Sequence, residues 1–121
     1  MGYVGAYTNA QKLLNGIAGT ASKLAFYGGT SATTKTATNA NVQGLFWRMG
    51  GTVGATTQVM ALLSTYGTGR IVFVGDSSPS DDGTGDTNDN LFNRWSGDAP
   101  TGYTSHPALD LNAALWLAKA Q

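Results

Sequence analysis

Five aspartates, Asp76, Asp81, Asp82, Asp86 and Asp89, fall within fourteen residues, with Asn88 and Asn90 among them. Carboxylates crowded on a loop repel one another unless they point apart into water or share a cation. Calcium accepts roughly six to eight oxygen ligands from flexible loops. The stretch is therefore a candidate calcium site, with Asp76, Asp81, Asp82, Asp86, Asn88 and Asp89 as ligands. Asp86-x-Asn88-x-Asn90 begins like an EF-hand loop, but Leu91 stands where glycine is required and Gly97 where the bidentate glutamate belongs. It is not an EF-hand. The turn-forming habit of Asp, Gly, Ser and Pro explains the same composition without a metal, and both readings stand.

Three other groups could do chemistry. Ser77, in Val74-Gly-Asp-Ser-Ser78, follows an apolar run, and His106 is the sole histidine that could serve as its base, with Asp76 as a further acidic candidate. Gly-Asp-Ser in that position resembles the first block of the SGNH ester hydrolases, and Thr87-Asn88-Asp89 imitates their oxyanion block. Order and spacing depart from that family: its Gly-Asp-Ser lies near the N-terminus, whereas 44 residues follow Ser77 here, and Tyr103 stands where Asp-x-x-His needs its acid. The simpler reading is a strand-terminal turn in which Asp76 and Ser77 bond to loop backbone. His106, just after a capping Ser105, reads equally as a neutral histidine bonded to a neighbouring loop. Trp95 and Tyr103 flank a loop and could stack on a sugar, whereas Trp47 and Trp116 fall in a strand and a helix and read as core.

Charge excludes more than it proposes. Seven bases and histidine-neutral seven acids cancel, so neither nucleic acid nor an anionic membrane is favoured as a partner. The distribution is uneven. Residues 1–70 hold five bases (Lys12, Lys23, Lys35, Arg48, Arg70) and no acid, and every acid in residues 71–121 is Asp. Absence of cysteine excludes disulfides, a thiolate metal site and a cysteine nucleophile. No run approaches the roughly 20 apolar residues of a membrane span. MGYVGAYTNAQ lacks the charged start and apolar run of a signal peptide. Only 12% of residues are charged, and the abundance of Thr, Ser, Asn and Gly suits an extracellular protein.

The elements that must position these residues read as one domain over 1–121. Asn9–Gly16 is a short helix with Asn9 as cap and Gly16 as stop. Lys23–Tyr27 is a strand, and 30–42 a polar, mobile loop. Gln43–Met49 is a strand. Thr57–Leu63 fits strand or helix, with strand favoured by the Tyr66-Gly-Thr-Gly69 turn behind it. Arg70–Val74, β-branched and aromatic throughout, predicts a strand buried on both faces at the centre of an α/β sheet. An acidic loop, 75–90, follows, then a short helix over Asp89–Trp95 capped by Asn88. The last helix starts after Ser105, with Pro107 in its first turn, and runs to the end. Its apolar Leu109, Leu111, Ala114, Leu115, Trp116 and Ala118 wrap more than one face, which predicts cover on two sides.

Gly67, Gly69 and Arg70 feeding a strand, Gly75-Asp76-Ser77 at its end, the acidic loop, and Asn112-Ala113-x-x-Trp116-Leu117 in the closing helix form an ordered set. With NVQGLFWRMGG upstream, it resembles the C-terminal half of a class-I glutamine-amidotransferase-like domain, of the kind found in large secreted bacterial proteins, some described as extracellular nucleases. The match covers about residues 40–121 well and 9–28 loosely. It implies a partial flavodoxin-like α/β fold whose missing half is supplied by the remainder of a larger chain or by self-association. The family's nucleophilic cysteine is absent, so glutamine hydrolysis by that route is excluded. The implied role is a non-catalytic accessory module of a secreted protein, with a calcium-ordered loop. A hydrolase using Ser77 and His106, a metal-assisted hydrolase using the Asp cluster, and a glycan-binding module are its alternatives.

Overall fold

The computed structural model describes residues 9–26, 28–80 and 106–120. Within them the order is helix α1 (Asn9–Leu14), strands β1 (Asn15–Gly16), β2 (Gly19–Thr20), β3 (Gln43–Trp47), β4 (Val59–Tyr66) and β5 (Gly69–Val74), a 3-10 turn at Ser78–Ser80, and helix α2 (His106–Leu117). β1 and β2 form a two-residue ladder, and β3-β4-β5 a three-stranded meander. The chain is thus mixed α/β, and every pairing among the described strands is antiparallel. No described helix is long and apolar enough to cross a membrane. The expected cap Asn88, the helix over Asp89–Trp95, Ser105 and Tyr27 lie outside the described residues.

The centre of the sheet is β4, not the expected Arg70–Val74. Val59, Met60, Ala61, Leu63 and Ser64 are all buried, whereas β5 lies at the edge with Ile71 53% exposed. A strand covered on both faces has no reason to alternate apolar and polar residues, so VMALLSTY carries no period by which sequence separates strand from helix. β5 does alternate. Val72 and Val74 pack against the core, while Ile71 and Phe73 take the opposite face.

The core lies on one side of the meander: Leu45, Ala61 and Leu63 of the sheet meet Leu109, Ala113 and Trp116 of α2 and Leu13 of α1. Six residues are too few for a helix to persist alone in water. Complete burial of Leu13, an effect of about 2 kcal/mol, is one of the contacts that hold α1. α2 buries His106, Pro107, Leu109, Asn112, Ala113 and Trp116. The buried stripe therefore includes two polar residues that an apolar reading of the helix leaves out. Leu111 and Leu117 remain 44% and 43% exposed, so the second apolar side of the helix is only partly covered.

The polar 30–42 stretch pairs edge-on with the start of β4 and then reaches Ser64 through Asn39. Ala32 and Val59 exchange both backbone hydrogen bonds (2.7 and 3.1 Å), Thr34 N–H donates to Thr56 C=O at 2.7 Å, and Asn39 Nδ2 donates to Ser64 Oγ at 2.7 Å. Its lack of periodicity reflects a segment tied through backbone and one amide rather than through an apolar stripe.

Two corrections concern the N-terminal segment. Lys23–Tyr27 was expected to be a strand, but residues 21–26 belong to no ladder. Ala21 and Leu24 enter the core and Phe26 packs against it, as a strand's apolar residues would. The Ala25 N–H, however, donates to a side chain, His106 Nε2, at 2.8 Å. The helix from Asn9 ends at Leu14, two residues before the expected Gly16 stop. Gly16 is required for a different reason: a Cβ there would collide with Asn112 Oδ1 and Lys12 C=O. Among the described residues Asn9 is the first in the helix, and its Oδ1 accepts from Trp116 Nε1 at 3.2 Å.

Asn112 is fully buried, and its amide is fully used. Oδ1 accepts from Ala18 N–H (2.9 Å), and Nδ2 donates to Leu13 C=O (3.1 Å) and Gly19 C=O (2.9 Å). One side chain thereby closes the end of α1 and the β1–β2 turn against α2. At the other end of α2, Ala120 N–H bonds to Leu115 C=O and Lys119 N–H to Trp116 C=O, the paired bonds of a Schellman stop, with Lys119 at φ 58° in the place usually taken by glycine.

Asn112→Ala strands three backbone groups, each costing about 1–3 kcal/mol where it cannot reach water. A loss of about 3 kcal/mol in urea unfolding is the expected outcome. A loss below about 0.5 kcal/mol, the level of an ordinary surface change, would show that the three bonds do not hold the N-terminal segment.

Candidate functional site

The candidate residues that the structure describes gather where β5 ends. β5 stays in register with β4 to Val74, and Gly75 N–H still bonds to Met60 C=O at 2.8 Å. Gly75 C=O then accepts from Thr30 N–H at 2.8 Å, which docks the Gly28-Gly29 turn onto the strand end. Asp76 follows, with Oδ2 accepting from Gly28 N–H at 3.2 Å. Ser77 is exposed, and its C=O accepts from Ser80 N–H at 2.9 Å as the 3-10 turn begins. This is the strand-terminal turn expected for Gly-Asp-Ser, with the carboxylate spent on loop backbone.

His106 opens α2 and is completely buried. Its Nε2 accepts the Ala25 N–H, so that nitrogen carries no proton and the neutral ring holds its hydrogen on Nδ1. Pro107 follows in the first turn, where its missing N–H costs nothing. Ala25, bound by His106, and Gly28, bound by Asp76, are three residues apart, so both candidates grip the same segment. Ser77 makes no hydrogen bond to His106. One turn into α2, Asp110 Oδ2 accepts from Ser80 Oγ at 2.7 Å, tying the 3-10 turn to the helix. Burial pushes the Asp110 carboxyl above the usual carboxylate range, and the Ser80 hydrogen bond pulls the other way.

Of the six expected calcium ligands, Asp76 alone is described. Asp81, Asp82, Asp86, Asn88 and Asp89 lie outside the described residues, as do Trp95 and Tyr103. Among the described residues no three metal-ligating side chains come together.

A second feature was not expected. An open cleft of about 870 Å³ runs between segment 22–31 and the end of β3, and Lys23, Phe26, Phe46, Trp47 and Arg48 are among the residues lining it. Trp47, read as core from its place in a strand, is only half-buried. Its indole N–H donates to Ala55 C=O at 2.8 Å, and its ring lies over Gly44, where a Cβ would come within 2.5 Å of Cζ2. The legible signal was the unbroken basic character of residues 1–70, which left Lys23 and Arg48 without nearby acids in sequence.

The raised Asp110 value fixes a pH dependence. The folded state holds this proton more tightly than the unfolded chain, so the contribution of Asp110 to stability is complete below an unfolded value of about 3.9 and is lost as pH rises through the folded value. Asp110→Asn keeps an acceptor for Ser80 and removes the titration. In urea unfolding from about pH 3 to about pH 7, the variant is expected to gain on wild type as pH rises; a constant difference across that range would refute the assignment. The chain matches no protein-family model, no curated protein and no solved structure.

Proposed function

We propose that this chain is a non-catalytic accessory or structural module of a secreted bacterial protein, with an acidic loop over residues 76–90 that calcium orders. The observation that carries the non-catalytic part is the burial of the sole histidine, 0% exposed, with Nε2 bonded to the Ala25 amide at 2.8 Å. A general base must offer a lone pair within reach of the nucleophile's proton. Here the lone pair is engaged by backbone, and Ser77 stands exposed without a bond to the ring.

The amidotransferase-like reading belongs to the same proposal. It is supported by the mutual contacts of the residues that carry the resemblance. The Arg70 guanidinium lies 5.1 Å from the centroid of the Trp116 ring and also donates to Trp116 C=O, while Asn112 holds α1 and the β1–β2 turn. Partly exposed Leu111 and Leu117 on α2, with Ile71 on the edge strand, support cover by the remainder of a larger chain or by a second copy. The calcium part is supported by the density of Asp in 76–89, and the secreted setting by the scarcity of charge beside abundant Thr, Ser, Asn and Gly.

Two assays on the full chain test the two parts separately. Wild type and Ser77→Ala are expected to show the same background turnover of a short-chain nitrophenyl ester; turnover abolished in Ser77→Ala would end the non-catalytic reading. In thermal unfolding of chelator-stripped protein, millimolar calcium is expected to raise the midpoint by several degrees while magnesium does not. Saturation at about 100 times Kd stabilises by about 2.7 kcal/mol. No shift with calcium would remove the metal and leave the module.

A further inference from the structure

We propose that the cleft between segment 22–31 and the end of β3 binds a small compound carrying an anionic group, carboxylate or phosphate, on a flat ring. The inference does not depend on the role of Ser77 or on calcium.

Size comes first. At about 870 Å³ the cleft falls within the range of small-molecule sites. Among the described residues that line it, Lys23 and Arg48 are charged and none is a carboxylate, while Asp76 is bound behind Gly28. Arg48 on the β3 side attracts an anion over a distance set by salt, and its planar guanidinium fork matches the two oxygens of a carboxylate or phosphate. Arg48 is carried on fixed backbone: its N–H bonds to Gln58 C=O at 2.9 Å and its C=O accepts from Gly51 N–H at 2.8 Å. The side chain is exposed, so it meets a ligand without first breaking out of a core.

The ring preference follows from the aromatic wall. Phe26, Phe46 and Trp47 line the cleft beside the cations. Trp47 is held in place twice, by its bond to Ala55 and by the space over Gly44 that only a residue without Cβ leaves. A planar surface fixed before the ligand arrives loses little entropy on binding and favours a flat partner. Met49, 90% exposed at the rim, adds an adaptable apolar contact. A residue type that would normally be buried is thus kept at an opening, beside the Arg48 cation.

A uronic-acid sugar and a nucleotide share this chemistry, so both serve as probes. Full-length wild type is titrated calorimetrically at low salt with a uronate trisaccharide and with a nucleoside monophosphate. The neutral trisaccharide and the free nucleoside are the controls. At least one anionic probe is expected to bind with submillimolar Kd, about tenfold or more tighter than its neutral counterpart. The responding probe identifies carboxylate or phosphate as the preferred group. Arg48→Ala and Trp47→Phe are each expected to weaken that probe severalfold, whereas Lys35→Ala, an exposed base outside the cleft, leaves it unchanged. Failure of both anionic probes, equal binding of the neutral forms, wild-type affinity in Arg48→Ala, or an equal loss in Lys35→Ala would each overturn the proposal. Trp47→Phe is read only after its unfolding midpoint matches wild type; should it not fold, the Arg48 and Lys35 comparison decides.

Discussion

Two polar side chains on the last helix hold the first quarter of the described chain in place. His106 accepts the Ala25 amide across 81 residues of sequence, and Asn112 closes Ala18, Leu13 and Gly19 across more than 90. Neither α1 nor the two-residue β1–β2 ladder has enough internal hydrogen bonding to persist alone. Segment 21–26 has no ladder at all. Their backbone groups would be unsatisfied on burial unless α2 supplied donors and acceptors. The fold of the N-terminal segment is therefore conditional on α2, and loops of this length must close before those bonds form. Trp116 completes the arrangement from the far end of the helix, bonded to Asn9 and covered by Arg70.

The same dependence explains what sequence could and could not convey. Local signals were readable wherever local physics decided the structure: the Gly67-Thr68 turn between β4 and β5, the strands at Gln43 and near Val59, and the helix that begins around Pro107. Positions settled by distant partners were not. KLAFY has the composition of a strand, yet its amide finds an imidazole rather than a neighbouring strand. RIVFV has the composition of a central strand, yet it lies at the edge because the less β-prone VMALLSTY occupies the middle. Asn112 stood out in the sequence only through its place in a family-like motif, since nothing in the periodicity of α2 marks a buried amide. Trp47 was assigned to the core because most aromatics in strands go there. Its ring instead lies over Gly44, three residues earlier, and the residue lines the cleft.

Charge segregation along the chain becomes spatial at the Gly28-Gly29 turn. On one side Gly28 N–H meets Asp76, the first acid of the sequence; on the other, Gly28 and Gly29 line the cleft that holds Lys23 and Arg48. A single turn separates an acidic strand end from a basic opening. Two groups that invite a catalytic reading, histidine and aspartate, are engaged in fixing that turn and the segment before it. The groups better placed to meet a ligand are an arginine and an aromatic wall.

The central claim, that His106 is a structural acceptor and not a base, is tested most directly by nitrogen NMR of the imidazole in the folded protein at neutral pH. The account requires a proton on Nδ1, an unprotonated Nε2, and scalar coupling across the hydrogen bond from the Ala25 amide. A ring protonated on Nε2, with no coupling to Ala25, would contradict it and return His106 to the list of groups free to do chemistry.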